Sequence, residues 1–165
     1  MSKSPATEAS VRLDPVHDGH PVRQAFLIEA ILNLLSFPLI THPRFVLSLI
    51  LNRPTDINPS LVLFTRLFGG IVVGGLTPGL LYGYRNTRQA IETRKQVYIS
   101  LGLGEVLLIP VLIGELLKGG QGDAALSMRG AAGAIMCLAP PLAWRIYVLV
   151  FKPQLLGRYT ELKKE

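Results

Sequence analysis

The sequence predicts an all-α protein, a four-helix transmembrane bundle with short loops. Leu61–Tyr84 and Val97–Leu117 are apolar runs of about 20 residues or more, the length that a helix needs to cross a bilayer. The short basic segment Arg85–Gln96 joins them, so the two runs form a helical hairpin. Mean hydropathy is +0.39 and only 17% of the residues are charged, against about 25% in soluble domains. The runs are too long and uninterrupted for a soluble helical bundle.

The first part of the chain is predicted to hold a tail and one span. Residues 1–20 are polar and lack the apolar segment of a signal peptide, so we expect a disordered cytosolic tail. The first span is Val22–Ile40, and Thr41–Arg44 breaks its helix. Phe45–Leu51 is too short to cross a bilayer; it either lies in the interface or continues a bent first helix.

The rest of the chain supplies three further spans. Leu61–Tyr84 is the second span and Val97–Leu117 the third. A glycine-containing turn, Lys118–Ser127, leads to the fourth span, Met128–Phe151. Residues 21–151 therefore form one transmembrane domain, and residues 152–165 form a charged cytosolic tail.

The basic residues predict the orientation. The two tails, the start of the first span at Arg23 and the segment after the second span contain eleven Lys and Arg residues, and the opposite side has at most five. Since cytoplasmic loops carry the excess of Lys and Arg, both termini are predicted to be cytosolic. We expect an internal membrane such as the endoplasmic reticulum. The basic segment sets orientation, and an additional role in holding anionic lipid headgroups is the alternative.

The second span contains small residues at helical spacing. Its glycines repeat at intervals of four residues, a pattern that lets two membrane helices approach closely; they include Gly70, Gly74, Gly79 and Gly83. The fourth span offers a matching face in Gly130–Ala134. We expect packing between these two spans, with packing between two copies of the chain as the alternative.

Ionisable residues within the spans form two predicted layers. Glu29, Glu105 and Arg145 lie roughly 9–12 Å inside the cytosolic ends of their helices, at about 1.5 Å per residue. Asn33 shares a helix face with Glu29, so it is assigned to the same buried polar network. Charges in a membrane are costly and usually face the bundle interior. We predict that Arg145 bonds at least one of the two glutamates.

The outer charge layer comprises three residues near the opposite ends of the spans, Arg66, Glu115 and Arg129. Both layers contain both signs of charge, so pairing is possible in each. A structural salt-bridge network is favoured for the inner layer over a proton- or ligand-handling site, because partners of opposite sign are available.

The sequence lacks the residues that several classes of function require. The single cysteine, Cys137, cannot form an intrachain disulfide or a cysteine-based metal site. The three histidines lack the spacing of a catalytic metal site. The sequence contains no nucleophile elbow or phosphate loop, and its basic residues are not interleaved with aromatic ones. We therefore predict no catalytic residues, metal, cofactor or nucleic-acid partner.

One short segment carries a family resemblance. At Arg66-Leu67-Phe68-Gly69-Gly70 an arginine precedes a glycine pair early in the second span, which resembles the ergosterol-biosynthesis scaffold family and DoxX-like proteins. Tyr98–Pro110 and the Pro140-Pro141 pair look more like small fungal four-helix membrane proteins. The resemblance covers about one helix and implies the four-helix fold only.

The sequence therefore favours a multi-pass membrane protein that acts as a scaffold or accessory subunit. Its expected partners are the lipid bilayer and other membrane proteins or a second copy of the chain. The alternative is a small membrane enzyme or carrier for a hydrophobic metabolite. An enclosed polar pocket at the inner charge layer would favour the alternative, and an exposed glycine face would favour the scaffold.

Overall fold

The protein is an all-α, four-helix bundle, as the sequence predicts. A computed structural model describes residues 11–14, 17–119 and 122–161. Four helical segments of this part are long and apolar enough to cross a membrane. We call them spans 1 to 4; they are His20–Thr41, Pro59–Tyr84, Arg88–Leu117 and Met128–Phe151.

Span 1 and the segment after it consist of three helices. α1 (His20–Leu34) and α2 (Phe37–Thr41) form the span, with a break ahead of Pro38. α3 (Pro43–Ile50) is a separate helix with Leu47 buried, and it packs against spans 2 and 4. Residues 45–51 therefore do not continue the first helix, and a position in the membrane interface is the alternative that stays open.

Span 2 changes its helical form midway. α4 (Pro59–Gly70) begins at Asn58, whose side chain accepts a hydrogen bond from the Leu61 amide at 2.9 Å. A π-helical turn, Ile71–Leu76, then leads into α5 (Thr77–Tyr84). Pro78 lacks the amide hydrogen that would bond four residues back, and a wider turn accommodates such a missing bond.

Span 3 is longer than expected. α6 runs from Arg88 to Leu117, so most of the predicted basic loop, Arg85–Gln96, belongs to the helix. The Thr87 side chain caps its first turn, and Arg88 pairs with Glu92 one turn later at 3.0 Å. These local contacts extend the helix beyond its apolar stretch.

Span 4 consists of α7 (Met128–Ile146) and a π-helical turn, Tyr147–Phe151. The Ser127 side chain accepts a hydrogen bond from the Gly130 amide and caps the start of α7. A short 3₁₀ turn, Pro153–Leu156, follows the span, and we call it the C-terminal turn.

The described parts of the two tails pair with each other, and the disorder of the N-terminal tail stays a prediction. β1 (Val11–Leu13) pairs antiparallel with β2 (Tyr159–Glu161). The Arg158 amide extends the contact by donating to the His17 carbonyl at 2.9 Å. Residues 1–10 and 162–165 of the predicted tails lie outside the described residues. The pairing places both ends of the described chain at the same end of the bundle.

The core lies at this end of the bundle. Span 1 packs against span 2, which packs against span 3, and span 3 packs against span 4. The buried core cluster draws residues from every span and from the C-terminal turn; it contains Val22, Phe26, Ala30, Leu80, Tyr98, Val148 and Leu156. It directly adjoins the inner charge layer described next.

Candidate functional site

Three charged side chains meet between spans 1, 3 and 4. The Arg145 guanidinium donates through Nη2 to Glu29 Oε2 at 2.5 Å and through Nη1 to Glu105 Oε1. The side chains of Arg145, Glu105 and Glu29 are 3%, 10% and 14% exposed. We call these three residues the charge cluster. One arginine therefore joins three membrane helices through two carboxylates.

Helical spacing places Glu105 of the charge cluster on the same face of span 3 as Tyr98. On α6, Tyr98 and Glu105 are seven residues apart and so lie on one face. Gly102 lies between them, and an added Cβ there would come within 3.8 Å of Arg145 Cδ. This is an ordinary van der Waals distance, so the arginine stem passes span 3 beside Gly102.

The fourth predicted member is not brought into the charge cluster. Asn33 is half-buried one turn beyond Glu29. In the part of the chain that the structure describes, no hydrogen bond links its side chain to Glu29, Glu105 or Arg145. Because the helix rises about 6 Å over four residues, a shared face does not ensure a shared contact.

Aromatic residues cover the charge cluster toward the core. Arg145 Cζ lies 5.6 Å from the centre of the Tyr98 ring, within the range of a cation–π contact. Tyr98 stacks on Phe26 with 4.8 Å between ring centres, and its hydroxyl accepts from Trp144 Nε1 at 2.9 Å. The guanidinium is held by two carboxylates and an aromatic face.

A second buried arginine was missed by the sequence analysis. Arg94 is fully buried and donates to three backbone carbonyls, those of Gly83 (2.8 Å), Arg85 (2.8 Å) and Leu156 (2.6 Å). It ties the link between spans 2 and 3 to the C-terminal turn. Gly19 must be a glycine here, since its φ is 74° and an added Cβ would lie 2.3 Å from Arg94 Nη1. No sequence pattern marks backbone acceptors, although Arg94 does lie four residues before Tyr98 on one helix face.

The outer layer does not form a network. The Glu115 carboxylate binds Lys118 Nζ at 2.5 Å and accepts from the amides of Ala125 and Leu126. It thereby holds Ala125 and Leu126 beside the end of span 3 and raises the pKa of Lys118. Arg66 and Arg129 are exposed, and within the described ranges neither pairs with Glu115. The pairing that the two signs of charge make possible in this layer does not form, because Glu115 binds partners near the end of its own span.

The glycines of span 2 divide into two groups. An added Cβ at Gly83 would lie 2.8 Å from the Phe26 ring, so this glycine allows spans 1 and 2 to approach closely. At Gly70, Gly74 and Gly79 an added Cβ would meet nothing within 4 Å. The expected packing of these three glycines against span 4 is therefore absent, since span 2 packs between spans 1 and 3.

Two open grooves lie on the surface of the bundle. The first, of about 350 Å³, lies between α3 and the start of span 4 and includes Arg129. The second, of about 330 Å³, lies between spans 2 and 3, and we call it the span 2/3 groove; its lining residues are Gly75, Leu76, Gly79, Thr93, Gln96, Val97, Ser100 and Leu101. Neither groove contains a residue of the charge cluster.

Comparison with protein-family models, with curated proteins and with solved structures finds no match.

Proposed function

We propose that this membrane protein is a scaffold or accessory subunit that binds a transmembrane helix of another membrane protein in the span 2/3 groove. The observation that carries the proposal is the composition of this groove, which combines glycines with exposed hydrogen-bonding side chains. The groove opens outward from the bundle between spans 2 and 3.

The glycines give the groove its depth. An added Cβ would meet nothing within 4 Å at Gly79, and at Gly75 only Ile71 Cγ2 at 4.0 Å. Small residues at a membrane interface let the backbone of a second helix approach closely. Helices in lipid gain little from burying apolar surface, so this close contact is a main source of their association.

Polar side chains supply the second part of a helix-binding surface. Gln96 and Ser100 are one helical turn apart on α6, and both are exposed. Hydrogen bonds from such side chains across helices contribute about 0.6–2 kcal/mol each. A helix with a polar residue at this depth would satisfy groups that lipid chains leave unpaired.

The alternative of a membrane enzyme or carrier has less support. It requires a polar pocket joining Glu29, Glu105 and Arg145, and these side chains instead bind one another. Their charges are used to hold spans 1, 3 and 4 together. The grooves described above lie elsewhere on the bundle.

The orientation is part of the same proposal. Both described chain ends and the link between spans 2 and 3 lie at one end of the bundle, and this end carries the basic excess. We assign this end to the cytosolic side of an internal membrane. The polar side chains of the span 2/3 groove then lie toward the cytosolic half of the bilayer.

Site-specific photocrosslinking in native membranes tests the proposal. A photoreactive residue at Ser100 lies in the groove, whereas one at Ile99 lies at the same depth, about 100° around the helix, with Ile99 itself 42% exposed. We expect a discrete protein adduct from position 100 and none from position 99. An adduct containing only this chain would replace the proposed partner with a second copy, and lipid adducts alone from both positions would refute helix binding.

A paired substitution tests the same groove by steric block. Gly79→Leu places a side chain in the groove, and Gly74→Leu places one on open surface of the same span outside it. We expect Gly79→Leu to abolish the position-100 adduct and Gly74→Leu to preserve it. Equal crosslinking in both variants would contradict docking in this groove.

A further inference from the structure

We propose that the charge cluster of Glu29, Glu105 and Arg145 binds one proton at neutral pH, making it a proton-binding site in the interior of the bundle. This inference is independent of the helix-binding role, because it concerns a buried site away from the span 2/3 groove. Two observations carry it, the balance of charges in the cluster and the hydrogen bonding of its atoms.

The charges of the cluster do not balance. Glu29 and Glu105 supply two carboxylates, and Arg145 supplies the one cation that both of them contact. An arginine remains protonated in proteins, so its charge is fixed at +1. With both glutamates ionised, the cluster would hold a net charge of −1 at a buried position inside a membrane, which is costly. One added proton makes the cluster neutral.

The other side chain against the guanidinium does not correct the imbalance. Tyr98 faces Arg145 with its ring, and its hydroxyl accepts a hydrogen bond from Trp144. Phenols are neutral at neutral pH, so Tyr98 adds no charge. Arg94 donates its hydrogen bonds to the backbone carbonyls of Gly83, Arg85 and Leu156. Within the described ranges no second cation bonds either carboxylate of the cluster.

The hydrogen bonding indicates which carboxyl group carries the proton. Among the described residues, Glu105 Oε2 is a buried oxygen without a hydrogen-bond donor. An ionised carboxylate distributes its charge over both oxygens, and a bare buried oxygen leaves half of that charge unstabilised. Glu29 Oε2 and Glu105 Oε1 both bind the guanidinium, so a proton on Glu105 Oε2 preserves both contacts.

A proton fits the cluster better than a metal ion does. Calcium takes six to eight oxygen ligands, and magnesium requires an octahedral set. Here two carboxylates meet, and one oxygen of each already binds Arg145. A proton needs a single oxygen and no rearrangement of the arginine. It comes from bulk water, and its uptake breaks no bond between heavy atoms.

Infrared spectroscopy of the purified full-length protein in lipid nanodiscs tests the proposal. Protonated carboxyl groups have a carbonyl band distinct from those of carboxylates and amides, and the band shifts in D₂O. Exposed acidic side chains are ionised at neutral pH and do not contribute to it. We expect one carboxylic acid per chain at neutral pH and its loss when the pH is raised. Absence of the band at neutral pH in the native protein would overturn the proposal, whatever the variants do.

Substitutions distinguish two possible causes of protonation, the charge balance of the cluster and the burial of Glu105. In Glu29→Gln, one carboxylate remains for one arginine, so we expect Glu105 to ionise and the band to disappear although Glu105 is intact. Glu105→Gln should remove the band in the same way. A band of unchanged intensity in Glu29→Gln would show that burial alone protonates Glu105 and would refute the charge-balance site. Glu115→Gln is the matched control, because this carboxylate binds Lys118 outside the cluster, and its band should equal the native one.

Discussion

Replacement of Arg145 by methionine should destabilise the protein strongly. Methionine replaces the aliphatic stem of the arginine but lacks the guanidinium, so the change removes the charge and its hydrogen bonds and keeps the packing of the stem. Two carboxylates then lose their shared partner, together with the contact between the guanidinium and the Tyr98 ring. Removing one partner of a buried charge pair costs about 3–5 kcal/mol. We expect a decrease of this size in the free energy of unfolding.

Removing the remaining charges should reverse most of this loss. In the triple variant Arg145→Met, Glu29→Gln, Glu105→Gln no charge remains at the site, and neutral replacements of buried ion pairs are often tolerated. Each single Glu→Gln change should cost far less than Arg145→Met, because Arg145 retains the other carboxylate. This asymmetry follows because one guanidinium binds two carboxyl groups.

Equilibrium unfolding in mixed detergent micelles measures these differences. Arg129→Met is the matched control, because this arginine lies in the same span but is exposed, and we expect a change within about 0.5 kcal/mol. The reasoning would be refuted if Arg145→Met cost less than about 1 kcal/mol or if the triple variant were no more stable than Arg145→Met alone.

Three further predictions follow from the packing and the orientation. Gly83→Ile should lower stability by about 1–3 kcal/mol through its clash with an aromatic ring of span 1, whereas Gly79→Ile should leave thermal unfolding unchanged. In a Cys137→Ser background, a cysteine introduced at Lys95 should react with an impermeant thiol reagent only from the cytosolic side; reaction from the other side alone would reverse the orientation. Arg94→Met should lose three charge-assisted hydrogen bonds, lower stability by about 3 kcal/mol or more and expose the C-terminal turn to limited proteolysis, and a resistant turn would contradict the assigned contacts.

The fold could be predicted because it depends on long-range averages of the sequence. Span length and hydropathy are properties of some 20 residues together, so they tolerate local irregularities such as the π-helical turn at Ile71–Leu76. The proximity of Glu29, Glu105 and Arg145 could also be anticipated, since the helical rise fixes their depths and opposite charges attract within a bundle.

Other features depend on details that the sequence does not encode in a local pattern. Whether Gly79 or Gly83 meets another helix is determined by the rotation of span 2 about its axis, and both positions fit the same spacing rule. Arg94 binds backbone carbonyls, which every residue has, so its partners carry no sequence signal. The sequence places Glu115 in the outer charge layer but does not reveal its contacts with the amides of Ala125 and Leu126, because these depend on the path of the chain after span 3.

The pairing of β1 with β2 has a consequence for the biosynthesis of the protein. Val11–Leu13 is made before any span, and Tyr159–Glu161 is made after all four. β1 therefore has no β2 to pair with while the four spans are being synthesised. Its partner β2 follows span 4 in the sequence, so the strand pair cannot form before all four spans have been synthesised, and it joins the earliest and latest parts of the described chain. During synthesis the open edge of β1 would be available to another protein, such as a folding factor, until the chain's own final strand displaces it.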